Sequence, residues 1–370
     1  MGVQVHGLLG STPERGAASA ERIGLPTAYA SLSDLLSDER VEVVHVTSPN
    51  HLHHEQVSQV IAAGRHVVCE KPLALTSEES GQLVRLAADS GRVSAVNFNI
   101  RFYPLNQHVH ELIAGGGIGD VRLVSGHYFQ DWLMLETDWN WRLVPGLGGS
   151  LRAVGDIGSH WLDLVTFMTG LRITEVMADL ATFIPIRREP TGPVETFSTE
   201  RAADTAEREI GTEDVATILL RFENGARGTV AISQLSAGRK NSLEYEIDGS
   251  SAAVAWDSEQ PDQLWTGHRD AANEILIRNP ALMTPLARDA AFLPAGHVEG
   301  FADTFRALFS AIYTDVGNGG PSDHPVYPTF VDGHDEMLVG DAVATSAREG
   351  RWTAVDRSDS PIQLEDPARS

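Results

Sequence analysis

The stretch VEVVHVTSPNHLHHEQVSQVIAAGRHVVCEKP, residues 41–72, decides the fold. Val41–Thr47 is a β-branched run and reads as a buried strand. Ser48-Pro49-Asn50 breaks it and starts a helix to about Ala63, where Gly64 ends it. His66–Cys69 is a second short strand. A strand, a helix and another strand make a βαβ unit, whose strands lie parallel.

The same rhythm extends to both sides. Val3–Leu9 reads as a strand that breaks at Gly10-Ser11-Thr12-Pro13. Thr12 suits an N-cap with Pro13 at the first helical position, and Gly24 stops a helix ending near Ile23. Ser31–Leu36 is a short helix. Thr76-Ser77-Glu78-Glu79 opens another that ends near Ser90-Gly91, and Val93–Phe98 is a last strand. Residues 1–100 are expected to form a doubly wound parallel α/β sheet.

Beyond residue 100 the pattern changes. A helix over Leu105–Ala114 closes on Gly115-Gly116-Gly117, a strand follows at Val121–Tyr128, and Asp156–Thr169 reads as a helix. From Ile173 to about Ile277 most signals are strands, among them Thr217–Phe222, Ala226–Ser233 and Ser242–Ile247. Asn224-Gly225 between the first two is a hairpin turn. Helices return at Val298–Tyr313 and Gly333–Arg348. Residues 101–355 are thus expected to be α+β, with a large, mostly antiparallel open sheet flanked by helices. Thr191–Glu209 reads as a long exposed loop, and 356–370 as a disordered tail. There is no internal repeat.

The 370 residues carry 28 basic and 51 acidic side chains, a formal charge of −23. The length suggests two domains with real cores. The negative charge and lack of a basic cluster argue against nucleic acid and anionic membranes as partners. No apolar run approaches the roughly 18 residues of a spanning helix. Nor does the start resemble a signal peptide. A single cysteine, Cys69, fits a reducing compartment, and a cytoplasmic location is expected.

Three motifs can carry chemistry. Ser48-Pro49-Asn50-His51-Leu52-His53-His54 lies at the carboxyl end of a predicted buried strand, where open parallel sheets bind ligands; Ser-Pro-Asn is also a routine helix start. Glu70-Lys71-Pro72 follows the strand His66–Cys69. Only Lys71 and Lys240 are lysine among the 28 basic residues, the other 26 being arginine. Arginine does not give up its proton, so a retained lysine suggests a task that needs a compact, exchangeable ammonium. The third motif is Gly155-Asp156-Ile157-Gly158-Ser159-His160-Trp161-Leu162-Asp163. Asp156 and His160 are four apart and share a face at a helix start, with Asp163 three further on the same side. His160 is a candidate general acid or base. Gly148, Gly149 and Gly158 keep the approach open. An N-capping Asp156 beside a satisfied histidine is the plainer reading. Trp132, Trp139 and Trp141 suit a sugar face, although packing is the commoner use.

One expected motif is absent. A doubly wound dinucleotide domain opens with a strand and a Gly-x-Gly-x-x-Gly turn. Here Val3–Leu9 and its loop look instead like a second strand, whose loop contacts the adenosine ribose. Its end offers Gly10, Ser11 and Thr12, with Arg15 nearby and no carboxylate at the strand end to repel a 2′-phosphate. NADP is therefore favoured over NAD.

Together, Ser-Pro-Asn-His, Glu-Lys-Pro, Asn97-Phe98-Asn99-Ile100-Arg101-Phe102 and Asp156-x-Gly-x-His160 stand in the order and spacing of one family. The chain resembles the glucose–fructose oxidoreductase / inositol dehydrogenase / rhizopine-catabolism (Gfo/Idh/MocA) oxidoreductases from residue 3 to about 350. The resemblance implies a Rossmann-like domain and an NAD(P)-dependent dehydrogenase acting on a sugar, polyol or related compound. It implies Lys71, Asp156 and His160 at the reacting carbon. Ser48, Pro49, Asn50, His53 and Glu70 would lie along the cofactor, with Asn99 and Arg101 near the nicotinamide and the domain junction. A homodimer or homotetramer through the C-terminal sheet is expected. The departure is the missing first strand and Gly-rich loop, which a start upstream of Met1 would explain. Two alternatives stay open: a metal-dependent hydrolase using His51 and His53, and a non-catalytic sugar- or nucleotide-binding scaffold.

Overall fold

The computed structural model describes residues 2–192 and 204–358. β1 (Gly7–Leu9) and β2 (Thr27–Tyr29) pair in parallel across α1 (Pro13–Ile23), and α2 (Leu32–Ser37) follows. β3 (Val43–Val46), β4 (His66–Cys69) and β5 (Ser94–Val96) form a second parallel sheet, with α3 (His53–Ala62) and α4 (Ser77–Ser90) as crossovers. The helix signals act as read. The Thr12 hydroxyl accepts from Arg15 N at 3.3 Å and the Thr76 hydroxyl from Glu79 N at 3.2 Å, while Gly24 ends α1 at φ 72°.

The doubly wound sheet is in two pieces. Among the described residues no ladder bond joins β1–β2 to β3–β4–β5. One apolar cluster spans the two pieces, in which Tyr29 and Leu35 pack with Val41, Val44 and Val46. β2 has no counterpart in the sequence reading, because three residues are too few to show a period.

The rest of the described residues build one nine-stranded sheet and a separate two-stranded hairpin. After α5 (Pro104–Ala114), β6 (Leu123–Phe129), α6 (Pro145–Gly148) and α7 (Ser159–Thr169) come β7 (Ile173–Ala181), β8 (Ile186–Pro190), β9 (Thr205–Glu209), β10 (Val215–Phe222) and β11 (Arg227–Ser233). Then follow β12 (Ser242–Asp248), β13 (Ala252–Asp257), β14 (Gln263–His268), β15 (Glu274–Ile277), α8 (Pro285–Asp289), α9 (Phe301–Gly317), α10 (Phe330–Glu349) and β16 (Thr353–Ala354). The strand order is β15-β14-β13-β12-β6-β11-β10-β7-β16, antiparallel except where β6 meets β11. β10 alternates: Ala216, Ile218, Leu220 and Phe222 are buried, so one face carries the core. On that face lie Leu105 and Val109 of α5, Leu162 and Val165 of α7, and Val339 and Val343 of α10. α10 also reaches the first half of the chain. A Cβ on Gly333 would lie 2.7 Å from Val96 of β5, so only glycine permits that approach.

Two expectations are corrected. Thr191–Glu209 is not all loop: β9 pairs antiparallel with β8, with Arg188–Glu207 at 3.3 Å and Arg208–Glu189 at 3.8 Å across the ladder. Charge pairs rather than apolar alternation mark this hairpin, so the hydrophobic pattern missed it; residues 193–203 lie outside the described residues. The expected tail from Asp356 is partly placed: Arg357 forks onto Asp335, with Nη2 2.8 Å from Oδ2, and donates to Ile173 O. Residues 359–370 lie outside the description.

Candidate active site

Ser48, Glu70, Lys71 and Asn97 follow β3, β4 and β5 at the carboxyl ends of parallel strands, where successive chains diverge and leave a crevice. Glu70 N still bonds Val46 O, and Asn97 N bonds Cys69 O, so the ladder fixes the backbone up to these side chains. His53 clasps two of the loops. Its ring nitrogens lie 2.9 Å from Pro72 O and 2.8 Å from Ser48 O, and the side chain is fully buried. The Lys71–Pro72 peptide is cis.

Opposite the crevice, Val154–Gly158 makes one π-helical turn that runs into α7. The helix thus starts before Asp156, which is not its N-cap. The Lys71 ammonium lies 2.9 Å from Asp156 Oδ1 and also bonds the Asp156 carbonyl. The other contacts of this carboxylate come from far along the chain: Arg142 Nε at 3.1 Å from Oδ1, and Gln234 Nε2 at 2.9 Å from Oδ2. Burial works against the charged carboxylate, but Lys71 and Arg142 outweigh it and hold the group down at about 2.

His160 sits one turn on, edge-on to Phe98 with centroids 5.7 Å apart. Burial and the Lys71 charge push its pKa well below the usual histidine range, against the opposing pull of Asp156. The imidazole is therefore neutral at ordinary pH. Its Nδ1 is buried with no hydrogen-bond partner. Such an atom costs free energy unless something satisfies it.

Asn97 Oδ1 is likewise buried without a partner, while its amide nitrogen bonds Glu70. These two unsatisfied polar atoms, one just after β5 and one on α7, are left for a bound molecule to satisfy. Gln130, Trp132 and Asn241 add a polar row. Tyr128 Oη and Gln130 Nε2 each donate to Asn241 Oδ1 at 2.7 Å, and Trp132 Nε1 donates to Gln130 at 2.7 Å. Trp132 and Trp139 pack over Leu133, Leu143 and Ile210 in a small separate core. Trp141 stacks beneath Arg142 at 4.5 Å.

Several residues expected at the cofactor are turned inward instead. Asn99 Nδ2 bonds Thr304 Oγ1 at 2.7 Å, and Asn50 Nδ2 bonds Gly148 O at 2.9 Å. Arg101 forks onto Asp163 and reaches Asp332 at 2.9 Å, all at the junction of α7 and α10. Asp163 is thus committed to Arg101. Buried polar groups must be paired, and these are paired within the protein. Ser11 and Thr12 are exposed in the β1–α1 loop, and Arg15 is exposed in the first turn of α1. His51 is exposed while both nitrogens of His53 face carbonyls, and no metal-holding group of three such side chains occurs among the described residues. With a nine-stranded open sheet in place of a β/α barrel, the hydrolase alternative has no support. No helix among the described residues is long and apolar enough to cross a membrane. Arg142 and Gln234 were not legible in the sequence, since neither shares a motif with Asp156.

Comparison with known proteins bears on the fold and the family. Residues 1–98 match the oxidoreductase family with an NAD-binding Rossmann fold, and residues 106–255 match the GFO/IDH/MocA C-terminal domain. Levoglucosan dehydrogenase of Pseudarthrobacter phenanthrenivorans is 30% identical over 351 residues, covering 93% of this chain and 88% of that protein. The crystal structure of an oxidoreductase domain protein from Kribbella flavida superposes with a TM-score of 0.85 at 31% identity, over 95% of this chain and 91% of that one. A levoglucosan dehydrogenase in complex with NADH and levoglucosan gives 0.84 at 27% identity, over 95% and 90%.

Proposed function

Since the chain belongs to the Gfo/Idh/MocA oxidoreductases, we propose that it moves a hydride between a nicotinamide and a secondary alcohol carbon of a sugar or polyol, with Lys71, Asp156 and His160 at that carbon. The observation that carries this is the Lys71–Asp156 contact of 2.9 Å beside a neutral His160 whose Nδ1 has no partner. When bound, the nicotinamide supplies the hydride acceptor or donor at its C4. In the oxidative direction His160 takes the hydroxyl proton. Lys71 donates a hydrogen bond to the same oxygen and stabilises the negative charge that develops there. Asp156 holds Lys71 in place and favours the imidazolium as it forms. Ser48, Pro49 and Glu70 line the cofactor side, while Asn50, His53, Asn99 and Arg101 shape it from behind. Cofactor handling is assigned to residues 1–100 and substrate handling to 101–355.

The purified protein is expected to oxidise levoglucosan or myo-inositol with NAD or NADP. No turnover of either, with no dinucleotide binding by calorimetry, would sink the reading. The pH profile is a sharper check. A base must be deprotonated to act, and the His160 pKa is depressed, so the neutral form persists to lower pH. The acidic limb of kcat/KM for oxidation is expected below about 6.5, the ordinary histidine value. A limb above that value would rule out His160 as the base.

For the ribose end the reading is NADP. A Cβ at Gly10 would lie 2.5 Å from Gly16 N, so position 10, just past β1, cannot carry an acidic side chain in this backbone. Arg15 stands one turn into α1. Arg15→Ala should lower kcat/KM for NADP about tenfold and leave NAD unchanged, as expected for one charge-assisted hydrogen bond. Equal loss with both cofactors would refute the assignment. Assembly is assigned to the C-terminal sheet, whose edge strand β15 exposes Ile275 and Ile277 on one side. Light scattering should give a dimer or tetramer; a monomer at micromolar concentration would count against it.

A further inference from the structure

We infer that Gln234 is a positioning residue for the site, setting the plane and the proton affinity of the Asp156 carboxylate. The inference rests on the proposed role of Asp156. Gln234 follows β11 and is fully buried, with its backbone N–H bonded to Asp214 O at 3.1 Å. Its side-chain amide has only one workable orientation. Arg152 Nη1 lies 2.8 Å from one end, and a guanidinium can only donate, so that end is the oxygen. The NH₂ group must then face Asp156 Oδ2, at 2.9 Å.

Arg152 is itself immobile. It is buried, and it bonds Asp214 and Thr212 Oγ1. Asp214 Oδ2 accepts from the N–H groups of Phe183 and Ile184 at 2.7 and 2.9 Å, and Oδ1 also meets Arg187 Nη2 at 2.9 Å. Arg187 in turn donates to Leu135 O at 2.9 Å, inside the tryptophan-rich loop. The amide is thus braced by a buried chain of hydrogen-bonded groups, Arg152, Asp214 and Arg187, that runs from β8 to the site.

The chemistry explains why an amide stands here. Lys71 and Arg142 both approach Oδ1, which leaves Oδ2 to be satisfied in a buried place. An aliphatic side chain would strand Oδ2, and a third cation would add charge beside a histidine that must accept a proton. A neutral donor fixes the carboxylate plane, and so the direction from which Lys71 is held, without adding charge.

The test uses the whole chain with ¹³C-carboxyl aspartate, Asp156 being assigned by its loss in Asp156→Asn. Gln234→Glu keeps the acceptor for Arg152 but removes the donor to Asp156; Gln234→Met removes both. The Asp156 titration is expected to rise by about one pH unit or more in both variants, most in Gln234→Glu, where a second carboxyl faces the first. The kcat for levoglucosan should fall about tenfold to a hundredfold, the loss of one hydrogen bond to a charged group, with KM for the dinucleotide unmoved. Gln234→Glu decides alone if Gln234→Met does not fold. An unshifted Asp156 titration overturns the inference whatever the turnover. A shifted titration in a protein that turns over no sugar upholds it and counts against the proposed function instead.

Discussion

Replacing Lys71 by arginine is expected to lower kcat about a thousandfold while leaving the fold intact. The Lys71 ammonium touches both the Asp156 carboxylate and its backbone carbonyl, and the side chain is only 10% exposed. A planar guanidinium on a longer stem cannot occupy that point without moving the π-turn. It also cannot release a proton, where lysine can. Positioned proton-transfer groups contribute about 10²–10⁴-fold and a single donor to a developing oxyanion about 10²–10³-fold, which brackets the estimate. Steady-state rates for Lys71→Arg and Lys71→Met, with circular dichroism as the folding control, measure it. Turnover within tenfold of wild type for both would remove Lys71 from the chemistry.

The second large effect concerns stability. Arg101→Met is expected to cost about 3–5 kcal/mol, because it strands the buried carboxylate of Asp163. Arg101 is 5% exposed, and its fork joins α7 to Asp332 at the start of α10. Urea unfolding would register the loss as a lower midpoint at unchanged slope. Adding Asp163→Asn to Arg101→Met should recover part of it, since a neutral amide is cheaper to bury alone than a carboxylate. If Arg101 instead touched the cofactor, the variant would keep its unfolding midpoint and raise KM for the dinucleotide.

These two residues divide what the sequence could and could not say. Lys71 was legible because lysine is scarce in this chain and because Glu-Lys-Pro follows a strand whose parallel pairing was readable. Asp156 and His160 were legible because four residues along a helix bring two side chains together, and one π turn does not undo that. The Asp163 partner was not readable, because spacing says which side chains share a face and not which partner each will take. Asn99, Asn50, His53 and Arg101 look like ligands in a string of letters. Only packing reveals that their side-chain nitrogens meet Thr304, Gly148, two loop carbonyls and two carboxylates. Gln234 and Arg142 come 78 residues after and 14 before Asp156, joined to it by tertiary folding alone. Elements with strong periods were readable to within a few residues, as in His66–Cys69 and α4. The three-residue β2 and the charge-paired β9 carry no apolar period to read.

The divided parallel sheet bears on how the two ends of a long ligand would be gripped. Ser11 of the β1–α1 loop and Arg15 of α1 ride on one piece, while Lys71, Glu70 and Asn97 ride on the other. Side-chain contacts such as Tyr29 and Leu35 against Val44 and Val46 span the two. Hydrophobic contact is non-directional, so sliding one piece against the other would cost buried area and the Arg65 bonds to Leu36 O and Asp38 O at 3.3 and 3.5 Å, with every ladder hydrogen bond kept. The span between Arg15 and Lys71 therefore crosses a seam that has no ladder of its own.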